Sequence, residues 1–498
     1  MVNFGTSLQA TIEYYLTMRY RIVFYSLSRI FGVLAIAMVL PYLLTFIYHE
    51  PETYHFLIPI ILLMGLGLYS VLSRESVREL SLKESMLIVA MAWVGVSFFG
   101  ALPYLLDHVL GSFTDAYFET LSGFTATGST VIPDIESVPK SVLFWRSETH
   151  WLGGMGIVVL AIAIFPALQG KRTLFTSEAP VPFTEEDLFP RIADVAKSYW
   201  KVYVLFTLVE ILLLLPVMGW FDAVAHAFAT IAGGGFSTRN ASIGAFNSAY
   251  VEIVVMVFMI IGATSFILHY NALRGKFYYW KNTAFKIFMG ILLSASVLIA
   301  LNIYILNQQD ISLIAAFRKA LFQVVSIITT TGFATTDFKY WPSFSVFILV
   351  LLMFIGGMSA STSGSIKVSR FEIIFKDFRR MLHQTLHPRA MTKVWSNRKT
   401  VRQTVVLKVQ VYAVTYILVF IISGILLVAQ GYRWSTSFSA VAATLGNVGP
   451  GIGAVGPFDN FALLSSSAKW ILMFDMLLGR LEIWTVLSLF IPEFWGLG

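Results

Sequence analysis

Residues 326–338 read SIITTTGFATTDF: three threonines run into one glycine, and a polar stretch follows, between two long apolar segments. One such stretch is a weak clue, but the chain repeats it. Windows 115–128, 222–235, 319–332 and 436–449 align without gaps as DAYFETLSGFTATG, DAVAHAFATIAGGG, KALFQVVSIITTTG and TSFSAVAATLGNVG. Each ends in glycine, and the residue six places earlier is always small: Ser122, Ala229, Ser326, Ala443. From 128 to 235, 235 to 332 and 332 to 449 the spacings are 107, 97 and 117 residues. A period near that length holds one helix, one short re-entrant helix and one more helix, so the chain reads as a fourfold internal repeat. Asp115, Asp222 and Thr436 are placed to cap short helices; Lys319, in the same position, is not.

The surroundings are membranous. Of 498 residues, 57% are hydrophobic and only 13% charged, where soluble chains carry roughly a quarter charged. Spans of the ~20 apolar residues that cross a bilayer are expected at 30–48, 56–73, 84–106, 142–166, 197–219, 249–270, 283–306, 343–371, 405–430 and 468–490. The predicted fold is an all-α polytopic membrane protein with four helix–re-entrant loop–helix repeats in one chain, behind an extra N-terminal helix pair. The divisions expected are 1–80 for the pair, then repeats at 81–170, 171–275, 276–385 and 386–498. With no cysteine, disulfides and thiolate metal sites are excluded. No removable signal peptide is read at the N-terminus.

The net charge of +7 lies in loops, which argues for membrane topology and against nucleic acid. Between Lys367 and Lys408 there are eleven basic residues against Glu372 and Asp377. Arg274, Lys276, Lys281 and Lys286 form a second basic loop, and Arg19, Arg21 and Arg29 precede the first span. All fall on one side, expected to be cytoplasmic and to hold both termini.

About ten helical residues cover roughly 15 Å, half of the hydrocarbon core. Each window can therefore enter the membrane, stop halfway and return as extended chain that must be buried or line a wet cavity. Four such loops around one axis present carbonyl oxygens that replace the hydration shell of a monovalent cation, and the negative ends of the short helices face it too. Glycine at the turn permits backbone angles that a Cβ penalises, while Thr127, Thr330 and Thr331 add hydroxyl oxygen or brace the loop from behind. The bland alternative is that these glycines are caps or packing sites.

The phrases SGFTATGST, GGGFSTRN, TTTGFATT and NVGPGIG, with FIGGMSASTSGSIKVSR and MLLGRLEIW, resemble the TrkH/KtrB superfamily of potassium transporters over nearly the whole chain. The extra helix pair makes it more similar to the TrkH branch. The resemblance implies four M1–pore loop–M2 repeats in one chain, pseudo-fourfold and potassium-channel-like, with one filter glycine per repeat, at Gly128, Gly235, Gly332 and Gly449, flanked by Thr127, Gly234, Thr331 and Val448. Plant relatives that prefer sodium carry serine at the first position; Gly128 there favours K⁺. No loop has TVGYG, and the second reads GGG, so a wider filter with imperfect discrimination against Rb⁺ or Na⁺ is expected; the alternative function is a sodium or non-selective monovalent cation channel or symporter of the same fold.

GGMSASTSGS at 356–365 interrupts the third M2 segment with small and polar residues apart from Met358, a composition that no helix carries comfortably in a membrane. By resemblance it is an intramembrane gate, with Gly356, Gly357, Ser359, Ser361, Thr362, Ser363 and Gly364; the alternative is a plain helix break. GSIKVS lacks the ending of a phosphate-binding loop. Arg480 interrupts the last span at a cost of at least ~2.5–3.5 kcal/mol if it faced lipid. By resemblance it projects under the filter; the alternative is an ion pair with Asp475 or Glu482. Glu119 and His226 share one register and read as satisfied pore-helix groups, His269 as interfacial, and Asn240-Ala-Ser as a chance glycosylation pattern.

The resemblance further implies a bacterial inner-membrane protein, a homodimer with one pore per protomer, and a cytoplasmic nucleotide-binding ring of the TrkA type as regulatory partner. K⁺ is the transported ion, and no cofactor is implied. Membrane lipid is the surrounding partner, and nothing in the sequence binds nucleotide. A membrane hydrolase would need clustered His, Asp or Glu or a catalytic dyad, and neither is present. Proton co-transport is left open.

Overall fold

The computed structural model describes residues 18–73, 80–156, 192–306, 311–390, 392–397 and 399–496. Among the described residues the chain is mostly helical, and the fourfold pattern is its organising unit. Among the described residues six helices are long and apolar enough to cross a membrane, and a bent pair makes a seventh. The remaining three expected spans exist in shorter or broken form. Lys140–Gly154 is the start of the span expected at 142–166, whose end lies outside the described residues, as does the expected boundary at 170.

The first span begins ten residues earlier than expected, as Tyr20–Ala37 followed by Val39–Ile47. Arg21 and Arg29 therefore lie on the helix and not in a loop ahead of it. The arginine before it, Arg19, pairs at 2.7 Å with Glu84, whose carboxylate also accepts from the Ser81 N–H in a capping box that starts Leu82–Leu106, the helix that follows the pair's second member Tyr54–Leu72. That ties the extra helix pair to the first repeat. On the opposite face Glu50 accepts from the Ser141 N–H at 3.0 Å, and Phe56 packs edge-on against Trp145.

The four short helices are Phe113–Phe124, the end of Ile192–Ala232 beyond a break at Gly219 (φ 74°), Leu313–Ile328 and Trp434–Leu445. The expected caps are corrected. Ser112 and Ser312 cap the first and third helices, because both helices begin before their windows. Asp115 instead reaches Lys469 at 2.6 Å, and Asp222 holds Thr238 and Arg239 of the chain after the second glycine, both at 2.7 Å. Thr436 accepts from the Ala454 N–H.

Apolar packing forms two large clusters that meet around the short helices. One joins the N-terminal pair with the first and fourth repeats, through Phe56, Trp145, Tyr416 and Leu472. The other joins the second and third, through Phe258, Phe288, Phe322 and Leu349. A small antiparallel hairpin, Trp395–Ser396 with Lys399–Thr400, docks on the helix Val368–Leu386 through Ser396 and Lys376. The sequence pattern does not predict it.

Candidate functional site: a ring of four glycines above an irregular loop

Each short helix ends in the same turn. The N–H of the residue before each glycine donates to the small residue's carbonyl five places back: Thr127 to Ser122 (2.9 Å), Gly234 to Ala229 (2.9 Å), Thr331 to Ser326 (2.9 Å) and Val448 to Ala443 (2.7 Å). One residue earlier, Ala126, Gly233, Thr330 and Asn447 all have positive φ, from 50° to 69°. The glycines have positive φ again, from 74° to 103°, while the residue between does not. This left–right–left alternation is repeated four times. A positive φ is one that a Cβ penalises, which accounts for the glycine that marks the repeat.

The turns close into a ring. A Cβ built on Gly128 would lie 2.0 Å from the Gly234 carbonyl oxygen, and one on Gly235 would lie 1.9 Å from that of Thr331. On Gly332 it would lie 2.1 Å from the Val448 oxygen, and on Gly449 2.9 Å from the Thr127 oxygen. Repeat one thus abuts two, two abuts three, three abuts four, and four returns to one. Ser129 Oγ donates to the Gly449 carbonyl at 2.8 Å, and Asn447 Nδ2 to Thr127 Oγ1 at 2.9 Å, both across the last seam.

The threonines brace the turns from behind. Thr127 Oγ1 meets Thr125 Oγ1 at 2.7 Å, and Thr331 Oγ1 meets Thr329 Oγ1 at 2.9 Å. Thr330 Oγ1 accepts from the Gly364 N–H at 2.9 Å. Glu119 is fully buried and pairs with Arg146 at 2.6 Å, while it accepts from Thr130 Oγ1 and the Val131 N–H. Arg146 continues to the Ser237 carbonyl at 2.8 Å and stacks 3.6 Å from the Phe236 ring, so the pair holds the exits of two quarters. His226 holds Ser237 Oγ at 2.9 Å. Both therefore act as satisfied pore-helix groups.

Sequence reasoning missed His150. Its Nδ1 donates to the Gly123 carbonyl at 2.9 Å, because its Nε2 accepts from the Phe236 N–H at 3.3 Å. It sits against Gly234, where a Cβ would come within 2.2 Å of the imidazole. Asn240 joins the first two repeats, since its side chain accepts from the Ile135 N–H and donates to Asp134. Outside the ring lies a cavity of about 650 Å³, lined by the four glycines with Arg146, Arg239, Asn240 and Asp459. Lys339 bridges Asp459 (2.8 Å) and Asp337 (3.2 Å) at its edge, and those hydrogen bonds push the ammonium's pKa up.

Beneath the ring, the third M2 segment stops at Met353 and resumes at Val368. Gly356, Ala360, Ser365 and Lys367 have positive φ in the stretch between. This loop touches the ends of three short helices. Ser363 Oγ donates to the Thr329 carbonyl (2.8 Å), Thr362 Oγ1 to the Ile231 carbonyl (3.1 Å) and Ser365 Oγ to the Gly446 carbonyl (3.1 Å). Gly364 has no room for a side chain, since a Cβ would fall 2.4 Å from the Gly446 oxygen. Gly357 is equally confined, by Ser363 and the Ala263 carbonyl. Ser359 pairs with Ser369, and Ser361 Oγ donates to the Met358 carbonyl.

Arg480 comes from the fourth repeat. Its guanidinium donates to the Thr362 carbonyl at 2.7 Å and to the Gly153 and Gly154 carbonyls at 2.7 and 3.1 Å. It therefore joins the loop to the first repeat. The alternative ion pair is corrected: Glu482 faces Arg370 and Lys367, and Asp475 accepts from Ser423 Oγ.

A second missed element holds the loop. The span expected to run unbroken through 249–270 is bent by 104° between Ala249–Ala263 and Phe266–Leu273. The break frees the carbonyls of Gly262 and Ala263, which accept from the Thr362 and Met358 N–H groups at 3.1 and 2.9 Å. The Phe266 N–H donates to the Ala360 carbonyl at 2.9 Å. His269 is buried at this bend, bound to Tyr279 Oη and the Ile261 carbonyl, which replaces the interfacial place expected for it.

A helical membrane protein with four re-entrant turns closed into a glycine ring is the class that fold and site define. Residues 49–496 match the TrkH family, described as cation transport protein, and the chain belongs to that family. It is 38% identical over 484 residues to the Trk system potassium uptake protein TrkH of Escherichia coli and to that of Salmonella typhimurium, covering 95% of this chain and 99% of each relative. The potassium uptake protein TrkG of Escherichia coli is 34% identical over 469 residues, 93% of this chain and 96% of the relative. The crystal structure of the potassium transporter TrkH from Vibrio parahaemolyticus superposes with a TM-score of 0.86 at 37% identity, over 96% of this chain and all of that one.

Proposed function

We propose that this chain carries K⁺ into a bacterial cell across the inner membrane, in single file through the ring of Gly128, Gly235, Gly332 and Gly449. The observation that carries this reading is the cyclic closure, in which each glycine faces the carbonyl of the next repeat. Four alternating turns supply stacked carbonyl oxygens in place of hydration water. The four short helices end at these turns and add the partial negative charge of their C-termini. In this reading the threonines are scaffold, and selectivity resides in backbone oxygen.

The loop 356–365 is the gate in this proposal and Arg480 its clamp. The loop is bonded to the ends of three short helices beneath the ring, so in this reading transport requires it to move. Regulation is assigned to a cytoplasmic nucleotide-binding ring of the TrkA type acting on a homodimer. Arg379, Arg389, Lys393, Lys399, Arg402 and Lys408 lie on the segment that follows the gate, and offer a basic surface for that partner. Both termini are assigned to the cytoplasm by the same basic loops.

A second reading, a sodium or non-selective cation pathway, draws on the inequality of the quarters: Thr127 and Thr331 precede the glycine in two, Gly234 and Val448 in the others. Expression in a strain lacking potassium uptake, grown on limiting K⁺, tests the first reading. Rescue, with Rb⁺ uptake that excess Na⁺ does not inhibit, supports K⁺ selectivity. Strong Na⁺ competition moves the assignment to the second reading, and no growth and no flux from well-folded protein overturns both.

A further inference from the structure

We propose that an apolar recess beside the pore is a binding site for one acyl chain of a bilayer phospholipid. The recess, of about 580 Å³, lies between the first helix (Ile30, Val33, Ala37) and the third (Trp93, Val96), and its floor is Phe124 and Gly153. Its wall is continuous with the lipid-facing surface, since Val33 is 44% exposed and the neighbouring Ile36 and Leu40 are 73% and 46% exposed. Its floor is protein interior, since Phe124 is only 4% exposed and Gly153 is buried.

Chemistry selects the occupant. Among the described residues every side chain at the lining is apolar except for the indole N–H of Trp93, which has no hydrogen-bond partner among them. A buried water needs two to four polar partners, and an apolar cavity without them stays dry. An empty one forfeits dispersion contacts on every wall. The recess opens on a helix that spans the bilayer, so hydrocarbon is the solvent at its mouth. The inner end reaches the machinery described above. The Gly153 carbonyl accepts from Arg480, and Gly153 packs so closely on Phe124 that a Cβ would lie 1.9 Å from the Phe124 oxygen. A bound chain therefore supports the segment that anchors the Arg480 clamp.

The test uses the full chain in vesicles of phosphatidylcholine carrying a photoreactive diazirine midway along one acyl chain. After illumination, adducts are mapped by mass spectrometry. Adducts at Trp93, Phe124 or Leu152 are expected, reduced several-fold by Val33→Trp, which closes the mouth from a lipid-facing position. Ala37→Leu gives a milder second closure should the first variant fold poorly. Adducts confined to Ile36, Leu40 and other exposed side chains overturn the proposal, as do recess adducts that neither variant reduces. Crosslinks from this face to a second copy, in place of lipid adducts, overturn it too. The labelling does not depend on transport, so its failure is distinct from failure of the potassium reading.

Discussion

Among the described contacts, replacing Arg480 by alanine removes charge-assisted hydrogen bonds to the Thr362, Gly153 and Gly154 carbonyls, and the one to Thr362 holds the loop. The bonds to Gly153 and Gly154 anchor the guanidinium itself. A hydrogen bond to a charged group is worth about 1.5–3 kcal/mol, so if the loop is the proposed gate, losing this contact shifts its closed-to-open equilibrium by about 10- to 150-fold. The shift is bounded because Ser363, Gly364 and Ser365 keep their own bonds to the helix ends. Rb⁺ uptake into proteoliposomes, at matched protein density and without regulatory subunit, reads the effect as a rise in initial rate. Arg480→Lys separates two causes. A lysine keeps the charge beneath the ring but cannot fork across carbonyls of two repeats. If the clamp matters, the lysine variant is also faster than wild type; if the charge alone blocks the path, it stays slow. Uptake by Arg480→Ala at or below the wild-type rate, from protein that melts normally, refutes the gating argument.

Three more outcomes follow from the same geometry. Gly128→Ser places a Cβ 2.0 Å from the Gly234 oxygen and must push the two quarters apart; K⁺ over Na⁺ preference should fall in paired uptake assays, and an unchanged ratio would count against the ring as the selecting element. Glu119→Gln leaves Arg146 charged and unpaired in a buried site, so thermal unfolding in detergent should report a loss of about 3–5 kcal/mol; a melting midpoint equal to wild type would show that the pair is not structural. Asp107, at the C-terminal end of its helix, has its pKa raised to about 6 by burial and by the nearby Glu50 and Glu52. Its folded-state pKa exceeds the usual 3.8, so its protonation stabilises the fold below that range and the benefit is lost as pH rises through about 6. Asp107→Asn should therefore raise the melting temperature at about pH 7.5, with the gain fading toward about pH 4; an equal gain at both would refute the titration.

The glycine ring was legible because its two sequence marks have local causes. The small residue receives a backbone bond from five places on, and the glycine adopts a positive φ against a neighbouring carbonyl, so both recur wherever the turn recurs. The loop at 356–365 was legible from composition, since serine and glycine cannot continue an apolar helix. What holds that loop was not. The bend at Thr264–Ser265 sits inside an apolar run, and hydropathy does not register freed carbonyls; the small-residue stretch GATS at 262–265 was the only local trace. The partners of Arg480 were missed for a related reason. Acids near in sequence, Asp475 and Glu482, were the visible candidates, whereas backbone oxygens more than a hundred residues away have no signature. The same applies to His150, which serves a turn in another repeat.

A ring closed within one polypeptide has a consequence for how such a site can be altered. In an assembly of four identical chains each substitution is imposed at every quarter, so a change costing about 1 kcal/mol costs about 4 when the sites are independent. Here it is imposed once. That leniency accommodates a second quarter reading GGG, a fourth with Asn447 and Val448, and a third that carries the irregular stretch 356–365 beneath it. Symmetric duty is shared by unequal parts, and each can be retuned without the other three having to follow.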